Sequence, residues 1–134
     1  MENLRKDITE VAARPERKVD TIQVQHLLVA HGGAGIGGVT RSMADAEKLA
    51  ADLYQQIKDG ADFDALVKEH TDDSHPGIYS MTMKGAGGNG VYKRTGMVAA
   101  FGDIGWRLDV GQVGVAPYDG RKSPYGWHII KRLK

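Results

Sequence analysis

The segment Thr21-Ile22-Gln23-Val24-Gln25-His26-Leu27-Leu28-Val29-Ala30 constrains the fold more than any other part of the chain. Strand side chains alternate between faces, so Ile22, Val24, His26 and Leu28 share one side and Gln23, Gln25, Leu27 and Val29 the other. The second half of the run is apolar on both sides. It predicts a central strand in a sheet covered on both faces, which requires helices as the covering layers. At 134 residues the chain has room for one such core.

The helices are legible downstream. Ser42 stands at an N-cap position with Asp45 three residues on, and Ala46, Leu49, Ala50, Leu53 and Ile57 recur at helical spacing up to Gly60. Asp62 caps a shorter helix carrying Phe63, Leu66, Val67 and His70, broken by the run Thr71 to Gly77. Met97 to Phe101 reads as a short helix stopped by Gly102 or Gly105. Val113 to Tyr118 and Trp127 to Ile130 read as strands joined by a turn through Asp119-Gly120 and Ser123-Pro124. Residues 77–96 read as a long loop with one short strand. Residues 1–20 form a charged N-terminal extension broken by Pro15. Leu4, Ile8 and Val11 allow a short helix there, and a flexible, frayed extension fits equally well. The remaining order, β-α-α-(β)-α-β-β over residues 21–134, is that of a small α+β domain with helices on an antiparallel sheet.

Composition removes several classes of function. The net charge of +1 supplies no electrostatic attraction for nucleic acid or an anionic membrane. With no cysteine, disulfides, thiolate metal sites and a cysteine nucleophile are excluded. No apolar run approaches membrane-spanning length and no signal peptide is visible, so the chain as written is expected to be cytoplasmic; a processed or excised domain would read the same.

Glycine is the compositional outlier, at 18 residues. Gly33-Ala34-Gly35-Ile36-Gly37-Gly38 matches the G-x-G-x-x-G of dinucleotide sites. Such a site also needs a second parallel strand ending in an acidic residue about 20 positions on. Here that offset falls at Asp52, inside a helix. A second match, Gly85 to Gly90, precedes no helix. The glycines read as surface loop.

The five histidines are more informative. His26 and His128 lie inside the first and last strands, which can be neighbours in a small sheet. Either alone is most simply a hydrogen-bonded structural residue; together they form a candidate buried network with nearby hydroxyls. No histidine spacing fits a zinc site, so no metal is expected.

At this point the residues resemble a known family. His26-Leu27-Leu28-Val29, Gly60-Ala61-Asp62-Phe63, His70-Thr71-Asp72-Asp73-Ser74, Gly96-Met97-Val98 with Phe101, Leu108-Asp109-Val110-Gly111-Gln112-Val113 and Tyr125-Gly126-Trp127-His128-Ile129-Ile130 follow one another in the order seen in parvulins. These are peptidyl-prolyl cis/trans isomerases. The resemblance implies about four antiparallel strands surrounded by about four helices, and non-covalent catalysis at Xaa-Pro bonds without a cofactor. It implies proline-containing peptides or unfolded proteins as partners, and a monomer.

The resemblance also implies site residues. Met97 and Phe101 would line the proline pocket from one helix face, although by spacing alone core packing is the favoured explanation. His26 and His128 would form the paired histidines, and Asp73 takes a position that is cysteine or aspartate in different parvulins. Ser123 would hydrogen-bond within the histidine network, and Tyr125 stands where many bacterial members carry an aromatic residue. Asp72 reads as helix termination. The histidines either tune polarity at Asp73 or hold the sheet in shape.

Two departures stand out. Phosphate-directed parvulins carry a basic cluster after the first strand, whereas Ala30 to Gly35 contains no Lys or Arg, so phospho-selectivity is not expected. Asn89 falls where an apolar pocket residue is typical, which leaves Asn89, Met81 or Met83 as the third pocket wall. A module that holds proline peptides without catalysis is the competing reading.

Overall fold

The computed structural model describes residues 2–84 and 90–134. The elements are α1 (Glu2–Ala12), β1 (Thr21–Ala30), α2 (Met43–Lys58), α3 (Phe63–His70), β2 (Ile78–Thr82), β3 (Val91–Lys93), α4 (Ala99–Gly105), β4 (Val113–Ala116) and β5 (Gly126–Arg132). The α+β class and the four helices agree with the sequence. The sheet has five described strands in the order β3-β2-β1-β5-β4, with β1 central. It is mixed rather than wholly antiparallel, because β2 and β3 run parallel. Three residues are too few to show a period of two, so β3 leaves no strand signature in the sequence.

Local rules place the covering helices. Ser42 Oγ accepts from Asp45 N–H at 3.1 Å and Asp62 Oδ2 from Ala65 N–H at 2.9 Å. Each such cap contributes about 1 kcal/mol. Both helices bury their apolar stripes (Ala46, Ala50, Leu53, Phe63, Leu66 and Val67) against Leu27, Val29, Trp127 and Ile129 on one sheet face. On the other face α4 sets Ala100, Phe101 and Ile104 against Ile22, Val24, Met81 and Ile130.

Close approach of α4 requires Gly105. A Cβ there would lie 2.7 Å from Ile22 Cδ1 and 3.2 Å from Val24 Cγ1. The glycines of this short helix, which weaken it by propensity, are where it comes close to its neighbours.

The described part of the N-terminal extension is docked on the domain. Leu4 joins the first core cluster and Val11 the second, both almost fully buried. Burial of each contributes about 1.5–3 kcal/mol. Beyond the helix, residues 14–19 lie along the end of α4: Arg107 Nε donates to Arg14 O (2.9 Å), Arg17 N–H to Trp106 O (2.6 Å) and Trp106 Nε1 to Val19 O (2.8 Å). Among the described residues no helix is long and apolar enough to cross a membrane.

Candidate active site

β1 and β5 pair antiparallel with His26 opposite Ile130 and Leu28 opposite His128. The two histidines are therefore diagonal neighbours on the α4 face, a spacing their rings can bridge. His128 Nδ1 lies 3.4 Å from His26 Nδ1, and both residues are almost fully buried. Burial pushes His26 down to about 4 although Asp73 pulls it up; it pushes His128 down to about 3, with His26 adding to the effect. Both are neutral imidazoles at neutral pH.

Neutral imidazole has one donor and one acceptor, so the pair has a defined proton order. Asp73 Oδ2 stands 3.3 Å from His26 Nε2, at ion-pair distance though outside good hydrogen-bond alignment. An N–H at Nε2 meets that carboxylate favourably, whereas a lone pair there would be repelled. His26 Nδ1 is then the acceptor and His128 Nδ1 the donor. This leaves His128 Nε2 as a buried acceptor without a protein partner among the described residues.

Asp73 is delivered by the loop after α3. Thr71 Oγ1 accepts from Leu28 N–H (3.1 Å), Asp72 N–H donates to Leu28 O (2.9 Å), and Asp72 Oδ2 accepts from Ala30 N–H (2.9 Å). Arg41 also donates to Asp72 Oδ2 and to Ala30 O. Asp72 is thus more than a helix terminator: it clamps the loop to β1. Farther on, Gly77 O accepts from His26 N–H (3.0 Å), while Asp64 Oδ1 holds both Gln25 Nε2 (2.8 Å) and His75 Nε2 (2.9 Å).

Aromatic rings enclose the histidines. Phe101 meets His26 edge-on at 4.6 Å between centroids and His128 at 5.1 Å. Tyr79 lies 5.5 Å from His26 and stacks 5.8 Å from Phe101; Tyr92 packs against Tyr79 at 6.0 Å. Burial, then the nearby Asp73 carboxylate and Tyr92, push the Tyr79 phenol up, so it stays protonated. Phe101 and the imidazoles form the floor, while Asp73, Met97 and Tyr79 are the more exposed members.

Several expected placements change. Met97 packs against the core cluster that includes Phe101, but it lies in extended backbone before α4, not on the helix. The 3-10 turn Arg94–Gly96 reaches that region first, and helical structure resumes only at Ala99. Ser123 is buried outside the histidine network: its hydroxyl donates to Pro117 O and closes the turn 117–123. That turn supports α4, since Lys122 O accepts from Ala100 N–H at 3.1 Å. Tyr125 is 43% exposed, and its carbonyl accepts from His31 N–H (3.1 Å). Its ring makes no aromatic contact with the cluster among the described residues.

Of the residues considered for the third wall, Met81 is fully buried between the sheet and α4, Met83 is 53% exposed beside Arg94, and Asn89 lies outside the described residues. Tyr79 is the ring that stacks on Phe101 beside His26. The available signal was register: Tyr79 and Met81 share a side of β2 and pair with Val24 and Ile22 of the histidine face. The loop histidine His31, in turn, organises the first glycine stretch. Its Nδ1 accepts from Gly33 N–H (3.1 Å), which leaves Nε2 to donate to Pro124 O (3.0 Å).

Comparison with known proteins gives the family. The chain is 34% identical over 85 residues to a foldase protein PrsA of Caldanaerobacter subterraneus subsp. tengcongensis, covering 63% of this chain and 24% of that protein. It is 30% identical to a chaperone SurA of Pseudomonas fluorescens, covering 85% and 23%, and 32% identical to a chaperone SurA of Chromohalobacter salexigens, covering 87% and 23%. The chain spans about a quarter of the length of these relatives. Among solved structures, the peptidyl-prolyl isomerase ESS1 from Candida albicans superposes with a TM-score of 0.68 over 99% of this chain and 74% of that one; at 16% identity the match bears on the fold. A family description, the PPIC-type PPIASE domain, matches residues 8–134. The chain belongs to that family, the parvulin-type rotamase domains.

Proposed function

We propose that this chain catalyses non-covalent cis/trans isomerisation of Xaa-Pro bonds in flexible or unfolded protein chains, without selectivity for a phosphorylated residue before proline. The observation that carries the reading is the neutral histidine pair packed edge-on against Phe101, with Tyr79 stacked beside it and one carboxylate, Asp73, at its edge.

Amide resonance sets a barrier of about 18–20 kcal/mol, and rotation must abolish it. The planar amide is the more charge-separated state, so a partly dry aromatic pocket favours the twisted one. In this reading the proline ring docks against Phe101 between Met97 and Tyr79. The Asp73 carboxylate faces the prolyl amide and disfavours the negative charge that resonance places on its oxygen. No nucleophile is needed. The imidazoles keep the floor uncharged, and His26 orients Asp73. Ser123 acts at a remove, through the turn that supports α4, and Tyr125 contributes at the rim.

Arg41, the basic residue between β1 and α2, is engaged by Asp72 and Ala30 O, which supports the absence of phosphate selectivity. Relatives named foldase and chaperone support unfolded chains as substrates. Exchange NMR on Ala-Pro, Glu-Pro and phospho-Ser-Pro peptides tests both claims. Faster exchange at substoichiometric protein is expected for the first two. Binding without acceleration would replace catalysis by a holding function, and a strong phospho-Ser-Pro preference would overturn the selectivity.

A further inference from the structure

We infer that Glu16, 78 residues upstream of its partner Arg94, is a positioning residue that sets the gap between Met97 and Phe101 and so tunes grip on the proline ring. The inference rests on the isomerase reading for its functional meaning; its structural content stands apart from it.

Arg94 opens the 3-10 turn that hands the chain to Met97, and it binds α4 from three directions. Nη2 lies 3.2 Å from Asp103 Oδ1, the guanidinium covers the Trp106 ring at 4.8 Å, and the side chain lies over Gly102. A Cβ on Gly102 would fall 2.3 Å from Arg94 Nε, so the helix carries glycine where the arginine crosses it. The fourth partner comes from outside this region. Glu16 receives both Arg94 nitrogens at 2.6 Å, in the bidentate geometry that fixes direction as well as distance. Arg107, one helical turn past Asp103, adds a contact to the same carboxylate at 3.0 Å.

Glu16 is thus the anion that draws Arg94 and Arg107 together at the end of α4. The pair holds Glu16 below the usual carboxylate range, and Glu16 in turn raises Arg94. Packing does not duplicate this restraint everywhere. A cavity of about 340 Å³ borders α4 along Ala100, Asp103, Ile104 and Arg107. Asp103 and Arg107, which line that cavity, are both held by the network around Arg94 and Glu16. Met97 and Phe101 sit at the two ends of the region Arg94 spans, so loss of its bidentate anchor shifts one relative to the other.

The test uses the full chain and Glu16→Gln, which keeps shape and removes charge, with Glu16→Asp as the conservative variant. A Glu47→Gln control breaks the remote ion pair of Glu47 with Arg5. An Ala-Pro peptide is titrated by NMR while the Met97 methyl and Phe101 ring resonances are followed. Glu16→Gln is expected to weaken peptide affinity and lower kcat/KM by about three- to tenfold, as misplaced substrate-gripping groups do. The Met97 and Phe101 resonances should move, and those of Trp127, which packs on the opposite face of the sheet, should not. Glu16→Asp should recover part of the loss, and Glu47→Gln should match wild type. A folded Glu16→Gln with wild-type affinity and unmoved Met97 and Phe101 resonances overturns the inference, as does an equal loss in Glu47→Gln. Wild-type protein that binds peptide without accelerating exchange overturns only the isomerase reading, since affinity and resonances still report on Glu16.

Discussion

His26 and His128 face each other Nδ1 to Nδ1 across 3.4 Å, although they stand on strands whose register pairs neither with the other. Only one of the two nitrogens can carry a proton in that contact, so the rings act as a unit with one tautomer each. The Asp73 carboxylate beside His26 Nε2 chooses which.

Stability should therefore depend on pH in a defined direction. Both histidines start from 6.5 in the unfolded chain and are held near 4 and 3 in the fold. Between these values the unfolded state binds protons that the folded state refuses. The stability is fully present above about pH 6.5 and is lost as pH falls toward 4, with a slope of up to about 1.4 kcal/mol per pH unit for each histidine. Urea unfolding at successive pH values measures the slope; stability unchanged between pH 7 and 4.5 would contradict the buried neutral pair.

Removal of one histidine should leave the other with an unsatisfied buried nitrogen. His128→Ala and His26→Ala should each destabilise by about 1–3 kcal/mol beyond the lost packing. The double variant should cost less than their sum, because the two share one contact. A strictly additive double-mutant cycle would show that the contact carries no coupling.

The adjacent aspartates should separate into two roles. Asp73→Asn should lower kcat/KM by about 10- to 100-fold with little change in stability, as expected for a charge acting on the reacting amide. It should also let the His26 pKa fall further, since Asp73 is what raises it. Asp72→Ala should instead destabilise by about 1–3 kcal/mol, because Arg41 and Ala30 N–H lose their common acceptor. Equal effects of the two substitutions on both measurements would refute the division.

Tyr79 should act through its ring. Tyr79→Ala opens one wall of the aromatic enclosure and should weaken Ala-Pro peptide affinity by roughly tenfold, close to what an aromatic pair contributes. Tyr79→Phe keeps the ring and should stay within about twofold of wild type. A large loss in Tyr79→Phe would move the function to the hydroxyl.

Gly105→Ala should be harmful despite the better helix propensity of alanine. Its Cβ would meet Ile22 and Val24, so α4 must lift from β1 at a cost of about 1–3 kcal/mol. Thermal unfolding decides; a stabilised Gly105→Ala would mean that α4 has slack over the sheet.

Much of this molecule is written in local pattern. The alternation of Thr21–Ala30, the caps at Ser42 and Asp62, and the stripes of α2 and α3 follow from backbone geometry and burial, which act within a few residues. The ordered motifs from His26 to Ile130 carried the family, and with it the histidine pair, Asp73 and Phe101. Other decisions depend on contacts between distant segments. Met97 left the helix because the Arg94–Gly96 turn, held by Glu16 and Trp106, ends in extended backbone. Ser123 turned to Pro117 because the 117–123 turn closes on itself. Tyr79 meets Phe101 only through the register of β2 on β1. Residues 14–19 became a strap only because the end of α4 offers them backbone partners. Periodicity reports which face a residue is on; the partner it meets there is set by packing, register and charge across the whole chain.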